Sequence, residues 1–381
     1  MKKKYYIDFY KKNKISPVVN SFKKKYFFNQ RSALYSHLSI DFNHINNKNV
    51  IEFGPGNGIN SIHTFGYGPK SYNYVDANPT GLKNLKKNIK KYMPKISNYK
   101  INQSLIENYK TNQKFDLVLC EGLLPNNKKP QILAKYCGSF TKKNGIYVIT
   151  CHDYISTLSE TMRCFLSILI TKDIKNQNLK ILKLSQFFDK DFIFIKNMTR
   201  SKKDWIIDNF LNVEFWQDAK LFSISEAIKC LGKDFVFKSS SPNILKDSNW
   251  YKNIKTNNQK YFNNLAYSSY ESQVLNLLDT RVLSNFSDKK QIEQIYKMSK
   301  KLRVSIKKTC KDLNLLPNLI EEFDTLSKLL PNDFNLTKKS INSYNSFLYK
   351  FYKNQKLNIN LLNDFRAWWG RGMQYVSFQK I

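Results

Sequence analysis

The run Val50-Ile51-Glu52-Phe53-Gly54-Pro55-Gly56-Asn57-Gly58 constrains the fold of this 381-residue chain more than any other stretch. An apolar strand closes on an acid, three glycines follow at alternate positions, and a helical pattern begins after them. Glycine is needed where a strand turns sharply into a helix and where backbone must come close to a ligand. The run therefore reads as a nucleotide-cofactor loop, the alternative being an ordinary tight strand-to-helix turn. It is not a dinucleotide fingerprint, because Ile59 stands where the third glycine of G-x-G-x-x-G belongs. Pro55 stiffens the turn and removes an N–H that a pyrophosphate would use, so the loop suits a ligand needing no ring of phosphate donors.

Further elements follow in order. Tyr74-Val75-Asp76 ends a second strand, 115–121 reads as a fourth, and 145–150 as a fifth. Asp76 lies 18 residues beyond Gly58, close to the spacing at which an acid reaches the ribose hydroxyls in a βαβ unit. Strands are expected at 48–53, 72–76, 98–102, 115–120 and 145–151, with helices from about 58, over 79–92 and over 129–140. Strands and helices alternating at these lengths argue for a parallel sheet covered on both faces. Such sheets bind ligands outside the carboxyl ends of their strands. Glu52, Gly54, Asp76, Glu121, His152 and Asp153 all fall at such ends.

Over residues 48–154, these motifs resemble the class I S-adenosylmethionine-dependent methyltransferases, with E-F-G-P-G-N-G as the family's first motif. The resemblance implies a Rossmann-like α/β sheet, S-adenosylmethionine as cofactor and S-adenosylhomocysteine as product. It assigns cofactor contacts to Glu52, Gly54, Gly56, Gly58, Asn60, Asp76, Ala77, Gln103, Ser104 and Glu121, with His63 lining the same cavity. Gln103 and Ser104 would meet the adenine. Glu52 would orient the loop and the methionyl end of the cofactor rather than perform chemistry.

The formal charge of +34 raises the question of an anionic partner. Only seven of the 63 basic residues are arginine, the side chain that reads guanine edges and clamps phosphates bidentately. Nucleic acid is thereby disfavoured against solvated lysine faces or a small anionic or glycan substrate. The lysine, asparagine, isoleucine and aromatic excess is also what an A/T-rich coding sequence produces. Six scattered cysteines without a C-x-x-C pair read as reduced and buried, and four histidines without metal spacing give no metal site. No apolar run approaches a membrane span and no h-region follows the basic start, the pattern of a soluble cytoplasmic protein.

Residues 1–46, with ten basic residues and two acids, are expected to form a helical cap. Val18, Phe22, Tyr26, Phe27, Leu34 and Leu38 recur there at roughly helical spacing, and Tyr26, Arg31 and Tyr35 are placed either in core packing or against the cofactor. The cofactor domain is expected over 47–257. Within it 155–222, including Trp205 and the Phe215-Trp216 pair, forms a helical lid over the acceptor pocket. Ser223-Ile224-Ser225-Glu226 is a capping box, and 234–238 reads as a sixth strand followed by a turn at 239–242. Residues 258–381 read as an all-helical domain broken at Pro317 and Pro331. Its aromatic end, Trp368-Trp369-Gly370-Arg371-Gly372-Met373-Gln374-Tyr375, either docks near the active site or closes a hydrophobic seam.

Methyl transfer needs a general base only when the acceptor must lose a proton. His152 with Asp153, past strand five, and Glu121, past strand four, are the candidates. Each has a plainer alternative: a hydrogen-bonded structural histidine, or for Glu121 a contact to the cofactor's amino end or a substrate hydroxyl. Glu121-Gly122-Leu123-Leu124-Pro125 replaces the N-P-P-Y-type motif of base-amino methylation. The expectation is O- or N-methylation of a small metabolite or sugar-containing precursor, similar to bacterial methyltransferases of surface-polysaccharide or modified-sugar synthesis. An RNA methyltransferase and a non-catalytic scaffold are the alternatives.

Overall fold

The computed structural model describes residues 5–13, 24–195, 198, 201–212, 220–245, 247, 250, 252, 259–354 and 357–381. Val18, Phe22, Phe215 and Trp216, and the side chain of Tyr26, lie outside the described residues.

A seven-stranded sheet organises the chain, in the order β3-β2-β1-β4-β5-β7-β6. The strands are β1 Asn49–Phe53, β2 Ser71–Asp76, β3 Tyr99–Gln103, β4 Phe115–Cys120, β5 Thr141–Cys151, β6 Phe235–Ser241 and β7 Gln374–Lys380. β1 to β5 are mutually parallel, and β7 runs antiparallel between β5 and β6. The central strands are apolar nearly throughout because both faces are covered. On β1, Ile51 and Phe53 face one core while Val50 faces the other; on β4, Val118 and Cys120 oppose Leu117 and Leu119.

Helices Lys24–His37, Ile59–Phe65 and Pro79–Tyr92 cover one face. Pro79–Tyr92 is a clear case of local determination. Asn78 accepts the N–H of Thr80, Pro79 occupies the first turn, and Leu82, Leu85 and Ile89 form the buried stripe. Helices Pro130–Gly138, Leu158–Thr171 and Ile224–Leu231 cover the other face, and the capping box at Ser223 and Glu226 is formed. The C-terminal helices Gln259–Gln273, Lys289–Thr309, Leu316–Leu329 and Asn335–Asn354 extend this same core. The breaks fall at Pro317, in the first turn of its helix, and at Pro331, between two helices.

The all-helical expectation for residues 258–381 is corrected at its end, where β7 completes the sheet. Val376 and Phe378 are fully buried in it, and Tyr375 and Gln374 stand opposite Thr150 and Cys151 of β5. Arg163 holds the approach to this strand. It is fully buried, donates from Nε to Asp191 (3.1 Å), and donates to the carbonyls of Phe365, Arg366 and Trp368. β6 likewise runs on to Ser241, through the region read as a turn. Among the described residues no helix is long and apolar enough to cross a membrane, and no group of three metal-ligating side chains forms. Four of the six free cysteines are buried, in keeping with their reading as small hydrophobes.

Candidate active site

The chain leaves β1 toward β2 and β3, then returns to β4 on the other side of β1. This reversal makes a switch point at the carboxyl ends of β1 and β4, the place whose crevice takes ligands in open α/β sheets.

The glycine loop lies at this point. Gly54, Gly56 and Gly58 have φ of 68°, 56° and 72°, left-handed values that an L side chain adopts only with strain. Gly54 N–H bonds the Val75 carbonyl and carries the β1–β2 pairing one step beyond the strand. A Cβ on Gly58 would lie 2.0 Å from Leu85 Cδ1, so this glycine also lets helix Pro79–Tyr92 close against the loop. Asn57 Oδ1 accepts the N–H of Ile59 and starts helix Ile59–Phe65.

Asp76 ends β2 beside this loop. Its Oδ2 accepts the Gly56 N–H (3.2 Å) and its Oδ1 the Asn78 N–H (2.7 Å), while burial pushes its pKa up to about 6. Half-buried Ala77 follows it. Gln103 stands opposite Asp76 in the β2–β3 register and is exposed. Ser104 donates its N–H to the Asp76 carbonyl and its hydroxyl to that of Leu105. The glycines, Asp76, Ala77, Gln103 and Ser104 therefore share one rim.

Glu52 faces the other way. Its Oε2 accepts the hydroxyls of Ser61 and Tyr72, each at 2.6 Å, deep in the core. Burial, reinforced by the Glu121 carboxylate, raises its pKa to about 7. It fastens the helix after the loop to β2, so it orients the loop, and its carboxylate is already engaged within the protein.

Glu121 lies at the crevice mouth. Arg31 donates to both of its oxygens, Nη1 to Oε2 (3.0 Å) and Nη2 to Oε1 (2.8 Å), and Asn60 Nδ2 donates to Oε2 (3.2 Å). Arg31 thereby ties the end of β4 to helix Lys24–His37, and Asn60 ties it to the helix after β1. Arg31 is 5% exposed and its Nε is buried with no partner among the described residues. Tyr35 accepts from Arg31, and its hydroxyl also meets Thr64 at 2.6 Å. Ser32 pairs with His63 Nε2, and burial together with the Arg31 charge lowers the His63 pKa to about 4. Tyr375 of β7 is close enough for its hydroxyl to feel both Glu121 and Arg31, so the C-terminal segment docks at this end of the sheet. Leu123 packs over Gly54, with its Cδ1 2.6 Å from where a Cβ would stand.

His152 and Asp153 are differently placed. A backbone bridge joins His152 to Phe222, and burial and the Arg303 charge lower its pKa to about 4. Its Nε2 is buried with no partner among the described residues. Asp153 is fully buried; Oδ1 accepts the N–H groups of Ile155 and Ser156, and Oδ2 the Tyr270 hydroxyl at 2.6 Å. The expected pairing of a histidine base with Asp153 is therefore corrected. The carboxylate organises the turn out of β5, and no hydrogen bond links it to the His152 ring among the described residues.

The Arg31–Glu121 pairing was beyond sequence reasoning, since 90 residues separate the partners and only the helix packing brings them together. Tyr375 carried a signal in the alternation of Tyr375, Val376, Ser377 and Phe378, the period of a strand.

Together these features define a doubly wound α/β domain whose glycine loop lies at the switch point beside an acid, Asp76, at the end of β2. No family model and no curated protein matches the chain. Among solved structures it is similar to the N-methyltransferase NodS from Bradyrhizobium japonicum WM9 in complex with S-adenosylhomocysteine. That match has 16% identity, covers 34% of this chain and 62% of NodS, and has a TM-score of 0.28. It is also similar to PKMT2 from Rickettsia typhi in complex with AdoHcy, at 16% identity, with 59% and 46% coverage and a TM-score of 0.40. A third is magnesium protoporphyrin IX methyltransferase (ChlM) from Synechocystis PCC 6803 with bound SAH, at 12% identity, 62% and 87% coverage and 0.36. The chain spans less than two thirds of the length of NodS and of PKMT2.

Proposed function

We propose that this chain is an S-adenosylmethionine-dependent methyltransferase whose cofactor lies in the crevice between β1 and β4. One observation carries the reading: three left-handed glycines face an acid at the end of β2 whose carboxylate is held on the loop's own Gly56 amide. A cradle of that shape lets a ligand approach the backbone closely, and the carboxylate keeps lone pairs for two adjacent hydroxyls. The cofactor would supply a methyl carbon on a sulfonium leaving group.

The residues take these roles. Asp76 accepts the ribose hydroxyls, and Gln103 and Ser104 border the adenine. Glu121 and Asn60 face the amino-acid end, with Arg31 as the cation for its carboxylate. That end is a zwitterion, so it can replace one ion pair with two: ammonium on Glu121 and carboxylate on Arg31. Neither buried charge is then left alone, which is what makes such an exchange affordable in free energy. The orphaned Arg31 Nε supports the reading, being a buried donor with capacity to spare. Leu123 must swing off Gly54 to admit the ligand.

His152, neutral at pH 7, is the candidate to accept a proton from an acceptor that has one to lose. Its low pKa makes it a weak base, which suits only an acceptor whose departing proton is itself acidic, such as that of an arylamine or an acidic hydroxyl. The acceptor is proposed to be a small or sugar-containing molecule; the Gly122-Leu123-Leu124-Pro125 turn and the arginine-poor composition favour this over a nucleic-acid base. Calorimetric titration of the protein with S-adenosylmethionine tests the proposal. Saturable binding is expected, weakened at least about tenfold in Asp76→Ala and abolished in Gly56→Val. No binding to the wild type, or equal binding to all three proteins, would refute it.

A further inference from the structure

The helices that follow β5 carry a surface the proposed reaction does not use. Helix Gln177–Phe187 turns Ile181 and Leu184 inward, while Leu179 and Leu182 stand 56% and 54% exposed on its outer side. After the short helix Asp189–Phe192, Ile193 and Phe194 are exposed as well, Ile193 to 74%. Four large apolar side chains left in water on one stretch mark a contact surface. Lysines 175, 180, 183 and 190 lie among them; of the nearby acids, Asp189 is paired with Lys202, Asp191 is buried against Arg163 and Arg366, and Asp173 is exposed.

Beside this stretch lies a cavity of about 750 Å³, bounded by helix Tyr5–Asn13 and by the C-terminal ends of helices Leu158–Thr171 and Lys289–Thr309. Its apolar wall includes Phe9, Ile168 and Phe210. Lys12, Lys172, Lys175, Lys180 and Lys311 stand around it, with Asp8 the one acid among the lining residues. None of these five lysines is paired with a carboxylate among the described residues. Helix Leu158–Thr171 starts just past the end of β5 and ends at the cavity, a run of about 20 Å at 1.5 Å per residue. The cavity is thus a separate place from the crevice.

We infer that this face docks on an anionic lipid surface. The lysines meet the lipid phosphates, Leu179, Leu182, Ile193 and Phe194 enter the acyl boundary, and the cavity takes the phosphate and first methylenes of one lipid. Charge and apolarity are both needed for interfacial attachment, and here one element supplies both. Exposed aliphatic side chains gain nothing from a phosphodiester backbone, and none of the cavity's lining cations is arginine, so lipid is favoured over nucleic acid.

The test is co-sedimentation of the full chain with phosphatidylglycerol–phosphatidylcholine vesicles and with pure phosphatidylcholine vesicles. Binding to the mixed vesicles is expected to be at least about tenfold stronger and to weaken with salt. Leu179→Ser with Ile193→Ser should lower it roughly tenfold at constant ionic strength, with an unchanged circular dichroism spectrum. Lys175→Glu with Lys180→Glu should do the same and flatten the salt dependence. Octyl phosphate should compete, whereas inorganic phosphate should not, which separates an amphipathic anion from a bare one. The inference falls if the two vesicle types bind alike or not at all. It also falls if the serine variant binds like the wild type, because the overall charge of +34 then accounts for the attachment, or if single-stranded RNA binds more tightly than vesicles and is insensitive to the serine changes.

Discussion

At the scale of single residues, two carboxylates at the ends of neighbouring strands have been given opposite tasks by their surroundings. Glu52 is sealed in the core with a pKa of about 7, so it is protonated in the folded chain at pH 5 and ionised at pH 8. A folded pKa above the unfolded value near 4.5 means stability present at low pH and lost as pH rises through 7. Glu52→Gln removes this dependence. Urea denaturation should show the wild type losing roughly 2 to 3 kcal/mol relative to the variant between pH 5 and pH 8. Asp76 has a pKa near 6 and is proposed to bind ribose as the carboxylate. Cofactor affinity measured by calorimetry should therefore fall as pH drops below 6 in the wild type, and Asp76→Asn should lose that pH dependence. The sequence placed both acids correctly at strand ends, because the strand-then-glycine pattern is local. It did not reveal that Glu52 is spoken for by Ser61 and Tyr72, nor that Asp153 belongs to the turn with Ser156 and Tyr270. Those partners are selected by packing between distant elements.

At the scale of elements, the βα units were legible because each is written in a contiguous stretch. Pro79–Tyr92 has its cap, its proline and its apolar stripe within 15 residues, and its observed limits match the expected 79–92. Gly58 shows how tightly such units fit. Alanine there must take a φ of 72° and displace Leu85, so Gly58→Ala should cost about 1 to 3 kcal/mol, read from the shift of the denaturation midpoint. β7 was missed for the opposite reason. It pairs with β5, more than 200 residues earlier, and the helical run before it made a helical ending the natural extrapolation. Arg163 joins these distant parts, and Arg163→Met would leave three backbone carbonyls without their buried donor and Asp191 with Arg366 as its one remaining buried cation among the described residues. A loss of about 3 to 5 kcal/mol is expected by denaturation, with increased amide exchange along β7.

At the scale of the whole molecule, one sheet serves two cores, and the C-terminal region adds both a helical layer and an internal strand to it. That construction brings Arg31 from helix Lys24–His37 and Tyr375 from the last strand to a single crevice. A site assembled from both ends of the chain depends on the complete fold, whereas the glycine loop alone could be read from nine residues. The central claim is that this crevice holds S-adenosylmethionine. A crystal structure of the chain with S-adenosylhomocysteine tests it most directly. The account predicts both ribose hydroxyls within about 3 Å of the Asp76 carboxylate, and the Arg31–Glu121 pair opened around the amino-acid end. Ligand found elsewhere, or a crevice still closed by Leu123 and that ion pair at saturating ligand, would contradict it.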